Sequence, residues 1–116
     1  MNLKLKTKWL KALRGGAYRR GQGALVSQKG DRFCCLGVLA NEQGCVWEAD
    51  GFGALYPIMP RGRESFGINS RGEKATSYLK PSKAGGLTID EQRHLAQMND
   101  DGKSFRAIAD YIEKNL

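Results

Sequence analysis

Arg32-Phe33-Cys34-Cys35-Leu36-Gly37-Val38-Leu39-Ala40-Asn41-Glu42-Gln43-Gly44 changes character partway along. Ahead of it, Ala24-Leu25-Val26-Ser27 and Arg32-Phe33-Cys34 flank Gln28-Lys29-Gly30-Asp31, a turn-forming stretch between two short apolar runs, which reads as a β-hairpin. From Cys35 onward the apolar residues no longer alternate with polar ones. Cys35, Leu36, Val38 and Leu39 lead into helix-compatible Ala40, Glu42 and Gln43, and Gly44 supplies a C-terminal stop. A strand therefore runs directly into a helix apolar enough to require burial.

Working outward, Cys45-Val46-Trp47-Glu48 predicts a further short strand, with a turn at Asp50-Gly51. On the N-terminal side, Leu5, Trp9, Leu10 and Leu13 recur at helical spacing. With Thr7 as N-cap and Gly15-Gly16 as stop, they predict a helix over 7–14. Near the C-terminus, Thr88-Ile89-Asp90-Glu91 has the form of a capping box behind Leu87 as a staple residue, and Ile89, Leu95 and Met98 give that helix an apolar side. Asp101-Gly102 makes a turn, Ser104 caps again, and Phe105, Ile108, Ala109, Ile112 and Leu116 form the stripe of a last helix over 104–114. The expected architecture is a single α+β domain over 1–116. It has a small antiparallel sheet packed on the buried helix and an αα-hairpin at the C-terminus. Between Gly51 and Gly86, Pro57, Pro60, Gly62, Gly67 and Gly72 interrupt every longer pattern, so 51–86 reads as loop-rich, with Arg61, Arg63 and Arg71 at loop tips. Such a run is long for pure coil in a compact domain. It carries small strands, is a functional loop, or orders on binding.

A chain of 116 residues, 41% of them hydrophobic, supports one modest core. Its longest apolar stretches, 34–40 and 54–59, fall far short of the roughly 20 residues a membrane helix needs. The N-terminus alternates Leu with Lys and has no secretory pattern, so the expected compartment is the cytoplasm and no membrane partner is expected. Three cysteines are an odd number and Cys34 and Cys35 are adjacent, which argues against a disulfide framework. With no C-x-x-C pair and His94 as the single histidine, no metal and no cofactor is expected.

Charge is unevenly placed. Residues 1–35 hold nine basic side chains against Asp31 alone, while the remainder is nearly balanced, which points to an anionic partner. Lys4, Lys6, Lys8 and Lys11 read equally well as a solvated helix face. Arg14, Arg19 and Arg20 surround Gly15, Gly16, Gly21 and Gly23, where glycine admits close backbone approach and arginine offers a planar fork for phosphate oxygens. Tyr18 beside Arg19 is the fair candidate for base stacking, and Arg32, Arg61 and Arg63 extend the basic surface. No phosphate-loop or dinucleotide fingerprint is present. A helix-turn-helix reader is disfavoured, because Asp110 and Glu113 offset Arg106 and Lys114 on the last helix. The sharpest catalytic pairing is Cys35 near a helix start with His94 as base, set against the reading of Cys35 as an inert packing residue.

Trp9-Leu10-Lys11-Ala12-Leu13-Arg14, Gly21-Gln22-Gly23-Ala24-Leu25, Phe33-Cys34-Cys35-Leu36-Gly37-Val38-Leu39 and Ser104-Phe105 with Ile108-Ala109-Asp110-Tyr111-Ile112 together resemble a family of small uncharacterised proteins encoded by tailed phages and prophages. The resemblance covers both ends and leaves 51–86 outside, as an insertion. It brings no activity and no catalytic residue, and implies an accessory role against a host. The preferred reading is a non-enzymatic counter-defence protein. It would bind an anionic target, a phosphorylated nucleotide or nucleic acid, through Tyr18, Arg19, Arg20, Gly21, Gly23, Arg32, Arg61 and Arg63. The alternative is a direct inhibitor of a host nuclease or defence protein, of the anti-CRISPR kind, and a Cys-dependent hydrolase is third.

Overall fold

A computed structural model describes residues 1–116. The first helix, α1 (Leu3–Arg14), begins four residues before the predicted start, because the Asn2 side chain accepts from the backbone N–H of Leu5 at 2.8 Å and caps it. Thr7 lies inside the helix and donates its hydroxyl to the Leu3 carbonyl. Trp9 and Leu13 form its buried face, and the Trp9 indole N–H donates to the Cys35 carbonyl at 2.9 Å.

That carbonyl belongs to the central helix, α2 (Cys35–Glu42), in which every residue from Cys35 to Ala40 is buried. Its N-cap is Cys34, whose sulfur accepts from the Gly37 amide. Gly37 is required by packing: a Cβ there would collide with the carbonyl of Leu25. The chain ahead of α2 makes the predicted turn, with Ser27 N donating to Arg32 O at 2.8 Å and a single antiparallel bridge between Val26 and Phe33.

The expected single antiparallel sheet is instead three two-stranded ladders. β1 (Arg19–Arg20) and β2 (Arg32–Phe33) are parallel, pairing Arg19 with Arg32 and Arg20 with Phe33. β3 (Val46–Ala49) and β4 (Leu55–Ile58) form an antiparallel hairpin, and β5 (Gly67–Ile68) pairs antiparallel with β6 (Tyr78–Leu79). Residues 51–86 are thus structured by β4, β5, β6 and a 3-10 turn at Pro81–Lys83, with Phe66 and Leu79 fully buried.

The C-terminal hairpin is α3 (Ile89–Asp100) and α4 (Phe105–Asn115). Both halves of the Thr88–Glu91 capping box form, at 3.1 and 2.9 Å, and Ser104 caps α4. α4 packs on α1, where Arg14 bridges Asp110 at 2.8 Å and Glu113 at 2.5 Å. Of the predicted Ile89, Leu95 and Met98, α3 buries Leu95 fully and packs Met98 partly buried against the core, and it adds the polar Gln92 and Asn99 as buried residues. Gln92 both accepts from Leu79 N at 2.7 Å and donates to Leu79 O at 2.9 Å, so it pairs with β6 as a strand residue would. The result is an α+β fold whose core gathers Trp9, Leu25, Leu36, Leu39, Leu95, Ile108 and Ile112 around α2. No helix is long and apolar enough to cross a membrane.

Candidate anion-binding surface

The segment Tyr18–Gly23 leaves α1 and crosses the C-terminal end of α3. Tyr18 is half-buried, its hydroxyl donating to Glu42 at 2.5 Å and accepting from Asn41 Nδ2 at 2.8 Å. Asn41 in turn accepts from the Trp47 indole at 3.0 Å, and the Tyr18 ring meets Phe33 edge-on with centroids 5.0 Å apart. Burial, then the Glu42 hydrogen bond, pushes the phenol up to about 12. The ring predicted as a stacking candidate is therefore built into the seam between β2, β3 and α2.

Arg20 donates to the Asn99 carbonyl at 2.9 Å, where the negative end of α3 suits a cation. Gly21 donates to Phe33 O at 2.7 Å and accepts from Asn99 Nδ2 at 2.6 Å. A Cβ at Gly21 would lie 2.9 Å from Arg32 Cβ, so the close approach that glycine allows here is to β2. The Gly23 amide donates to Asp100 Oδ1 at 3.1 Å. Arg20 Nη1, both backbone groups of Gly21 and the Gly23 N–H are thus engaged inside the molecule, and the Asp100 carboxylate stands among them.

Arg19 stays outside that arrangement, and Arg32 meets its edge through a hydrogen bond from Nη1 to Arg20 O at 3.5 Å. They are cross-strand neighbours, both exposed, and like charges placed opposite each other are stable only when solvated or joined by an anion. Asp31 lies close enough to both that they help the Ser27 hydrogen bond hold its carboxyl below the usual range. Arg61 is exposed at the tip between β4 and β5, whereas Arg63, in a left-handed conformation at φ 52°, is ion-paired with Glu48. Arg71 pairs with Glu73 at 3.2 Å.

The larger uncompensated group lies on α1. Lys4, Lys8 and Lys11 recur at i, i+4 and i+7, form one exposed face with Thr7, and make no ion pair. The face shares Lys8 and Lys11 with a groove lined also by Gly15, Ala17, Tyr18 and Glu42. Glu42, the carboxylate in that groove, is occupied by the Tyr18 hydroxyl. The sequence signal for this face is the lysine spacing itself, which solvation explains equally well.

Cys35 and His94 are not brought together. Cys35 is fully buried with its sulfur 3.7 Å from the Leu95 carbonyl, while His94 is exposed on α3 and stacks at 5.0 Å against Tyr111 of α4. Burial raises both neighbouring thiols, Cys34 to about 11, which outweighs the favourable helix N-terminus. Cys34, not Cys35, occupies the cap. It lines a cavity of about 130 Å³ with Ala24, Ser77, Tyr78, Ala96 and Asp100.

Comparison with curated proteins and with solved structures gives no match. A family model matches residues 1–116, running through the loop-rich middle as well as both ends, and the chain belongs to the family described as domain of unknown function (DUF8296).

Proposed function

We propose that this protein is a non-enzymatic binder of a polyanion, a nucleic-acid backbone, along the α1 face and the Arg19–Arg32 pair. The observation that supports this is the set of exposed cations without carboxylate partners at Lys4, Lys8 and Lys11, while Arg14, Arg63, Arg71 and Lys80 are all ion-paired. Seven helical residues span about 10 Å at a rise of 1.5 Å each, which suits successive phosphates of a strand better than one nucleotide. Such a role fits a phage accessory protein acting in a host cell, as the resemblance of its end segments suggests.

Fluorescence anisotropy with a labelled oligonucleotide tests the reading. Affinity is expected to fall steeply with salt, and Lys4→Ala, Lys8→Ala and Lys11→Ala together should flatten the salt slope by about three, one for each phosphate no longer neutralised. Binding that ignores both salt and the triple variant would overturn it. Binding to an acidic protein but to no oligonucleotide would instead favour direct inhibition of a host protein.

A further inference from the structure

Phe52 is 94% exposed, against 75% for Leu3 and 41% for Val46, the other large apolar side chains left in solvent. The turn between β3 and β4 that carries it is closely hydrogen-bonded. The Asp50 carboxylate accepts from Phe52 N at 2.7 Å and from Ala54 N at 3.0 Å, and Asp50 N donates to Ala54 O at 2.8 Å. Gly53 closes the turn at φ 86°. The backbone that carries the exposed ring is fixed by the hydrogen bonds of its own turn.

A second turn, Ser27–Asp31, lies alongside. A Cβ at Gly53 would stand 4.0 Å from Gln28 Nε2, and one at Gly30 would stand 3.6 Å from Leu55 Cδ1. This second turn carries exposed Lys29 and leads into Arg32, beside Arg19. Its carboxylate, Asp31, is held by the Ser27 hydroxyl at 2.9 Å, and Asp50 is occupied within its own turn. The turn that carries this aromatic ring thus neighbours the turn that carries Lys29 and leads to Arg32 and Arg19, with Asp31 close to both arginines.

We infer that Phe52 is a stacking platform for an unpaired base, with Lys29, Arg32 and Arg19 taking the flanking phosphates, so that the ligand is single-stranded nucleic acid. This rests on the polyanion reading above and narrows it. Stacking needs one open π-face and cations near the backbone, and it tolerates any base. A protein hot spot would instead sit at the centre of an apolar patch with a surrounding rim. Phe52 is flanked in the chain by Asp50, Gly51 and Gly53, none of which extends an apolar surface.

The test compares Phe52→Ala and Phe52→Trp with wild type on an oligothymidylate and on a duplex of equal length. Both variants should keep the wild-type melting temperature, since the side chain touches almost nothing. Phe52→Ala should weaken single-strand binding roughly tenfold and leave duplex binding unchanged. Phe52→Trp should keep single-strand affinity, with its added fluorescence quenched on binding. If Phe52→Ala binds the oligothymidylate like wild type while the triple lysine variant does not, stacking is overturned and the polyanion reading stands. Equal loss on strand and duplex would also overturn stacking. If wild type binds neither, both fall.

Discussion

Arg20 and Asn99 lock the N-terminal third of the chain to the C-terminal hairpin. The arginine donates to the main-chain oxygen of Asn99 at 2.9 Å, and the Asn99 side chain reaches past it to donate to Gly21 O at 2.6 Å and accept from Cys35 N at 3.1 Å. One buried amide thereby joins the Tyr18–Gly23 segment, the first turn of α2 and the end of α3. The Arg20 charge complements a helix C-terminus, so its function is internal to the fold.

Asn99→Ala should therefore destabilise the protein by about 2–4 kcal/mol, since it strands a buried amide and a buried carbonyl, each costing about 1–3 kcal/mol. Urea unfolding measures this. Arg20→Ala should lower stability in the same assay, whereas Arg19→Ala should not. A fully stable Arg20→Ala variant would show that the hydrogen bond to Asn99 contributes nothing.

Gly37→Ala probes a different constraint. The new methyl group would meet the Leu25 carbonyl, and both partners are backbone within a closely packed core, so no side chain can move aside. The expected cost is about 3 kcal/mol or more. Gly44→Ala, in open space at φ 81°, should cost only about 1 kcal/mol from backbone strain. Equal melting temperatures for the two variants would contradict the packing argument.

These residues also show where sequence reading succeeds and stops. α2, α3 and α4 are legible because caps and apolar spacing are local: Thr88 with Glu91, Ser104 with the Ile108 and Ile112 stripe, and the unbroken apolar run after Cys34. The start of α1 is ambiguous in sequence because Asn2 and Thr7 are both competent caps, and the local pattern does not say which one precedes the helix. The parallel β1–β2 pair is invisible, since two-residue strands carry no periodicity and this one is fixed by Asn99, 78 residues from Gly21. Gln92 and Asn99 look like ordinary polar positions in sequence. Their partners are backbone groups of remote segments, which composition cannot reveal. Arginine beside glycine reads the same whether the guanidinium meets a phosphate or a helix C-terminus, and here Arg20 meets the helix.

Alkaline pH should destabilise the fold through the protons it holds more tightly than the unfolded chain does, those of Tyr18 and of the thiols Cys34, Cys35 and Cys45. Tyr18 is raised from 10.0 to about 12 by burial and by donation to Glu42, Cys34 from 9.0 to about 11 by burial, and Cys45 from 9.0 to about 12 by burial. In each case the folded state holds its proton more tightly than the unfolded chain. The stabilisation is fully present below about pH 9 and is lost as pH rises from there through about 12, because only the unfolded chain gains the charged forms at first. Denaturant midpoints should thus be level near neutrality and fall steadily above about pH 9. The thiols should resist alkylation at neutral pH in the native protein and react fully once unfolded. Tyr18→Phe isolates one contribution: it removes the phenolate that the unfolded chain forms from about pH 10 while the folded protein still holds its proton, and should shallow the alkaline fall while losing the Glu42 and Asn41 hydrogen bonds at every pH. A midpoint that does not change between neutral pH and about pH 11, or rapid native-state alkylation, would show that these groups are more open to water than their packing implies.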